Sequence, residues 1–140
     1  MHYTISTDKN LLDLPAIHDY LSNRSYWAKG RSLEEVRTIV EHSLCFGMYN
    51  DQGALMGFAR VLTDRVAFAY LMDVFILEEF RNLGLGKELV RHTLDSPELK
   101  GVRRLMLMTK DAHGLYEQFG FRLTESADKL MERLSVPMDF

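Results

Sequence analysis

Apolar residues recur every three or four positions in four stretches of the chain and run together almost unbroken in others. Leu14, Ile17 and Leu21 fall on one face of a first helix, and Leu33, Val36, Ile39 and Val40 on one face of a second. Ser32 and Glu35 form a capping box at the start of the second. A third helix carries Leu85, Leu89, Val90 and Leu94 and stops at Asp95-Ser96-Pro97. A fourth, capped by Asp111, carries Ala112, Leu115, Tyr116 and Phe119 and ends at Gly120.

Strand patterns fill the gaps. Residues 2–6 read as one strand, and 53–62 as another behind the hairpin turn Asn50-Asp51-Gln52-Gly53. The turn Thr63-Asp64-Arg65 leads into the apolar run Val66–Leu77, expected as a central strand buried on both faces. Arg104–Met108 reads as a further buried strand, with two closing strands near Phe121–Thr124 and Leu130–Val136. Strand, helix, strand, helix after residue 66 implies a parallel pair with a right-handed crossover. The expectation is a mixed α/β (α+β) fold, with a sheet of about six or seven strands and about four helices.

Composition narrows the class. With 140 residues, few prolines and no linker-like stretch or repeat, a single domain over 1–140 is expected. Cys45 is the lone cysteine, so no internal disulfide can form and a reducing compartment fits. Seventeen basic and 20 acidic side chains give a formal charge of −3, which offers no support for nucleic-acid binding. The run Val66–Leu77 is too short to span a bilayer, and Met1-His2-Tyr3-Thr4 lacks the order of a signal peptide. A soluble, cytoplasmic protein without membrane or nucleic-acid partners is expected.

The most informative stretch is strand, then Arg81-Asn82-Leu83-Gly84-Leu85-Gly86, then helix. A glycine-rich turn entering a helix lets backbone N–H groups converge where the helix dipole is positive, a natural seat for a pyrophosphate. Arg81 and Lys87 flank it. A dinucleotide fingerprint fails because Leu89 stands where its third glycine is needed, and a P-loop fails because Glu88 follows Gly86-Lys87. A tight turn that needs glycine only for steric reasons fits the spacing equally well.

Asp73 through Lys87 resembles the acetyl-CoA-binding segment of the GCN5-related N-acetyltransferases (GNAT superfamily), with Arg81, Gly84 and Gly86 on its Gln/Arg-x-x-Gly-x-Gly/Ala signature. Ala112-His113-Gly114-Leu115-Tyr116-Glu117-Gln118-Phe119-Gly120-Phe121 is similar to the family's second segment, in the family's order. The resemblance implies an N-acetyltransferase that uses acetyl-CoA as co-substrate and no metal. It implies that the strand holding Val74, Phe75 and Ile76 splays from its neighbour and pairs with the pantetheine arm. The Val74 amide would face the thioester carbonyl. The amides of Arg81, Asn82, Leu83, Gly84, Leu85, Gly86 and Lys87 would hold the pyrophosphate, and Tyr116 would protonate the departing thiolate. Thr109 stands where many relatives carry an asparagine that contacts the pantetheine. Phe68 and Tyr70 stand where several relatives place a general base, and Met72 replaces the first acid of a Glu-Asp pair known in polyamine acetyltransferases.

Asp73 is the lone charge in an apolar strand, and an unpaired buried carboxylate is costly. It either meets a cationic amine or orders a water relay, as a catalytic group, or it is satisfied by neighbouring strands and loops. Tyr26 and Trp27, in the loop between the first two helices, are candidate acceptor contacts together with Tyr70, and core packing is the other role open to them. Arg31, Asp64 and His113 are weaker candidates, and Cys45 is expected as a small buried hydrophobe. The resemblance implies a small molecule or peptide amine as acceptor, and a homodimer is common among relatives. A CoA-binding regulatory module without catalysis and a transferase for longer acyl groups, its pocket set by Phe75 and Met72, stand as alternatives.

Overall fold

The computed structural model describes residues 2–136. They fall into two compact units that meet in sequence at Met108 and Thr109.

The first unit holds a five-stranded sheet in sequence order: β1 (Thr4–Ser6), β2 (Leu44–Tyr49), β3 (Leu55–Thr63), β4 (Phe68–Ile76) and β5 (Arg104–Met106). The first four strands are antiparallel neighbours, and β5 joins β4 in parallel. The turn over 50–53 closes on the Asn50 side chain, which accepts from the amides of Gln52 and Ala54 and connects β2 to β3. Asp64 caps the next turn, accepting from the amides of Val66, Ala67 and Phe68.

Two helices precede β2. α1 (Leu14–Asp19) starts on the Asp13 side chain and runs on as a wider turn over Tyr20–Arg24. α2 (Leu33–Glu41) begins with the reciprocal Ser32–Glu35 capping box. Ile17, Tyr20, Leu21, Val36 and Val40 pack with Cys45, Phe58 and Phe75 in one buried cluster, so α1 and α2 cover one face of the sheet. α3 (Leu85–Leu94) follows the glycine turn and lies on the other face. A Cβ built on Gly57 of β3 would stand 3.5 Å from Leu89 Cδ2 of α3 and 2.6 Å from Ile76 Cδ1.

The second unit contains α4 (His113–Glu117). Ala112 stands at its N-cap without a side-chain cap; Thr109 Oγ1 instead accepts the Ala112 amide, so Asp111 is not the cap. Gly120 ends the turn with φ +89°.

The sheet has fewer strands than the sequence pattern suggests. Neither Phe121–Thr124 nor 130–136 is a strand among the described residues; Met131 is 97% exposed, and Leu134 and Val136 lie open too. An apolar segment becomes a strand only when it pairs with another, and neither of these is paired among the described residues. β5 is also shorter and more open than expected, with Met108 exposed.

Candidate active site

β4 changes character at its middle. Its parallel ladder with β5 runs from Phe68 opposite Arg104 to Tyr70 opposite Met106 and stops there. From Leu71 to Ile76, β3 is the one strand paired with it among the described residues. The β3 register then slips by one. Arg60 faces Met72 and Phe58 faces Phe75, so Asp73 and Val74 together oppose Ala59. This is a β-bulge, and Asp73 takes φ +54°, a left-handed conformation uncommon outside glycine.

The bulge decides which way Asp73 points. Residues opposite one another share a face, so Arg60, Met72, Phe58 and Phe75 all face α1 and α2. In a regular ladder Asp73, next to Met72, would face α3. The extra residue turns it to the α1–α2 side, where its carboxylate meets three donors. Arg60 Nε donates to Oδ2 at 2.6 Å, Arg31 Nη1 to the same oxygen at 2.9 Å, and Trp27 Nε1 to Oδ1 at 2.7 Å. The Asp73 side chain keeps 1% of its surface exposed. Arg60 also donates from Nη1 to Ser43 Oγ, whose hydroxyl donates to the Ile39 carbonyl. The carboxylate is therefore satisfied rather than waiting for a cation.

An aromatic row runs beside this cluster. Trp27 meets Tyr26 edge-on at 5.0 Å between ring centroids, and Tyr20 stacks on Phe75 at 4.1 Å. Tyr70 is half-buried on the Arg60 face and stacks on Phe68.

The glycine turn lies at the other end of β4. Asn82 and Gly84 have φ of +65° and +75°, so the chain doubles back before α3 and aims the first amides of that helix outward. No side chain caps them. A Cβ on Gly84 would meet nothing within 4 Å, and one on Gly86 would touch Ile76 Cγ1 at 3.9 Å, so the glycines are not demanded by crowding from the protein. Leu83 and Lys87 are exposed, and Leu85 is buried under the turn. Arg81 is anchored rather than outstretched. Its Nε donates to the Ile76 carbonyl and its Nη2 to the Tyr20 hydroxyl at 2.6 Å. Burial pushes the Tyr20 phenol up, against a downward pull from the Arg81 charge.

Tyr116 sits in α4, nine-tenths buried, edge-on to Phe121. Thr109 is tied to the start of that helix through Ala112. His113 is exposed at the first position of α4.

Residues 14–121 match the sequence profile of the acetyltransferase (GNAT) family. The chain belongs to that family. A crystal structure of a GNAT-family protein from Xanthomonas campestris superposes with a TM-score of 0.92 at 46% identity, covering 96% of this chain and 94% of that one. A protein of Gibberella zeae provisionally named an acetyltransferase is 31% identical over 135 residues, 81% of this chain and 75% of its own length. Glucosamine-6-phosphate N-acetyltransferase of Arabidopsis thaliana shares the fold at a TM-score of 0.65 and 15% identity, covering 97% of this chain and 100% of that one. Membership of this family, with a relative at 31% identity named as an acetyltransferase, makes the chain an acyltransferase. Among the described residues no group of three or more His, Cys, Asp and Glu is placed to hold a metal, and no helix is long and apolar enough to cross a membrane.

Of the Asp73 cluster and the turn before α3, the sequence pattern singled out Asp73, Trp27 and the glycines. It missed Arg60 and Ser43 and ranked Arg31 low. A signal for Arg60 was present: two apolar strands joined by a short turn each carry one charge, of opposite sign, and an antiparallel pair can bring such charges together.

Proposed function

We propose that this chain is an acetyl-CoA-dependent N-acetyltransferase that acetylates a primary amine by direct attack in a ternary complex, with no metal. The observation that carries the reading is the half-open stretch of β4. Beyond Tyr70 the strand keeps β3 on one edge and is bulged at Asp73 and Val74. An extended arm with amide groups, such as pantetheine, can add to such an edge through main-chain hydrogen bonds from Val74 to Ile76.

The glycine turn fits the pyrophosphate of coenzyme A. A Cβ at Gly84 would project into open space, where a phosphate could otherwise approach the backbone. The uncapped amides from Asn82 to Lys87 and the dipole of the ten-residue α3 favour an anion there. Arg81 supports this turn by holding it to β4 and Tyr20, while the exposed Lys87 supplies positive charge at its rim.

Bound acetyl-CoA supplies an acetyl thioester, an acyl group activated toward amines. A fixed Val74 N–H beside the bulge stabilises negative charge on a carbonyl oxygen as an amine adds to it. Tyr116 donates its phenolic proton to the departing sulfur, with reference pKa values of about 10 for a phenol and about 8.5 for a thiol. Thr109 contacts the pantetheine arm, and Tyr26, Trp27 and Tyr70 wall the acceptor side. Asp73 acts as a positioning residue: with three donors on its carboxylate it holds the bulge, and the amine proton leaves through water.

Calorimetric titration of acetyl-CoA, desulfo-CoA and ATP into the protein tests the reading. Micromolar binding of both CoA species without ATP is the expected result. Absence of CoA binding would reduce the glycine turn to a structural device and remove the assignment.

A further inference from the structure

Around Asp73 the charges do not cancel. One carboxylate is shared by two guanidinium groups, and Asp73 and Arg60 are both almost fully enclosed. Arg60 is committed on two sides, through Nε to Asp73 and Nη1 to Ser43. Arg31 is committed on one. Its Nη1 donates to Asp73, and among the described residues its Nε and Nη2 donate no hydrogen bond. Its side chain keeps 19% of its surface open. A second acid that feels its charge is Glu35, exposed in the first turn of α2, whose carboxyl is held low first by the Ser32 amide and hydroxyl and then by Arg31. An open Nε/Nη2 edge is the planar two-donor face that matches a carboxylate in bidentate geometry.

The position of this edge gives it a use. Arg31 is one hydrogen bond from Asp73, which directly precedes Val74, and the same carboxylate ties down Trp27 beside Tyr26. We propose that the acceptor of this enzyme is an amine bearing a carboxylate, as an amino acid does, and that the free edge of Arg31 binds that carboxylate. This rests on the N-acetyltransferase reading above. Among the enclosed groups the surplus is a single positive charge, because Glu35 is exposed and committed to the Ser32 amide; a carboxylate balances that surplus, and a phosphate monoester, at about −1.5 to −2, would overshoot it. A polyamine, with cations at both ends, would meet repulsion from Arg31 and find Asp73 already neutralised. Tyr26, Trp27 and Tyr70 supply apolar surface for the side chain of the acceptor.

The test compares matched amines that differ in the carboxylate alone: phenylalanine with phenethylamine, tyrosine with tyramine, lysine with cadaverine and glycine with methylamine. CoA release gives kcat and KM for wild type, Arg31→Gln and Arg31→Lys, and calorimetry gives the acetyl-CoA Kd of each. In the wild type, the carboxylate-bearing member of at least one pair should have the higher kcat/KM by roughly 10- to 100-fold, the range for hydrogen bonds to charged groups. In Arg31→Gln that advantage should collapse to about onefold through KM, the carboxylate-bearing member losing far more kcat/KM than its decarboxylated twin. Arg31→Lys, which keeps the charge and loses the planar fork, should recover only part of it. Equal rates within every wild-type pair, or no turnover of any carboxylate-bearing amine by protein that binds acetyl-CoA, would overturn the inference and leave the N-acetyltransferase reading standing. A parallel fall of both twins in Arg31→Gln would show a scaffold role and overturn it equally. Failure of the wild type to bind acetyl-CoA would remove the underlying reading itself.

Discussion

Arg60 Nε lies 2.6 Å from Asp73 Oδ2, and neither side chain exposes more than 6% of its surface. The two residues sit on adjacent antiparallel strands, and without the bulge they would face opposite sides of the sheet. Their pairing thus links the backbone irregularity of β4 to the loop that carries Trp27 and Arg31.

Removing the acid should be the most damaging change in this cluster. Asp73→Asn leaves a buried guanidinium without its counter-charge, and losing one partner of a buried pair costs about 3–5 kcal/mol. Arg60→Met should cost less, because Arg31 and Trp27 still hold the carboxylate, and Arg31→Gln least, since its side chain is partly open. Urea unfolding of the three variants gives the order. A larger loss for Arg31→Gln than for Asp73→Asn would show that the acid does not organise the cluster.

Gly57 lies opposite Ile76 in the post-bulge half of β4, on the face that α3 covers. A Cβ there would stand 2.6 Å from Ile76 Cδ1 and 2.9 Å from the Phe75 carbonyl oxygen. The Ile76 methyl can rotate away, but the Phe75 backbone cannot move without disturbing the bulge. Gly57→Ala should therefore lose about 1–3 kcal/mol, the usual cost of overpacking, visible as a lower urea midpoint. Unchanged stability would mean that the two strands separate freely at this point.

Tyr116→Phe removes one hydroxyl and keeps the ring edge-on to Phe121. If the phenol donates a proton, kcat should fall by about 10²–10⁴ while the acetyl-CoA Kd stays within a few-fold. Steady-state rates beside calorimetry separate the two, and an unaltered kcat would take Tyr116 out of the reaction.

Cys45 is buried in the cluster under α1 and α2, and burial pushes its thiol up to about 11. The thiolate is the reactive species, so the native protein should resist iodoacetamide at pH 8 and react once unfolded. The folded pKa lies above the unfolded value of about 8.5, so the folded state disfavours the thiolate. Its contribution to stability is therefore complete below about pH 8.5 and is lost as pH rises toward about 11. Cys45→Ser should flatten the decline in stability across that window.

How far the sequence could be read follows from how local each feature is. The capping box at Ser32 and Glu35, the α3 stop at Asp95-Ser96-Pro97 and the glycine turn each involve a few consecutive residues, and each stands where the pattern put it. The bulge was invisible because an apolar run such as Val66–Leu77 has no parity to break; it emerges once Arg60 and Phe58 are paired with Met72 and Phe75. The Asp73 cluster joins residues 13, 42 and 46 positions apart, a distance no periodicity spans. The strands expected near Phe121–Thr124 and Leu130–Val136 rested on short apolar patterns, and neither segment is paired among the described residues.

The bulge gives β4 one residue more than β3 between two stretches of ordinary pairing. A chain lacking Val74 alone would keep Phe58 opposite Phe75 and Arg60 opposite Met72, and would set Asp73 opposite Ala59 on the α3 face. Its sheet would close as before, with Arg60 stranded and Trp27 and Arg31 untethered. A plain ladder and one that gathers Trp27, Arg31 and Arg60 on a single carboxylate are therefore separated by a single in-frame codon, inserted where the ladder can absorb it.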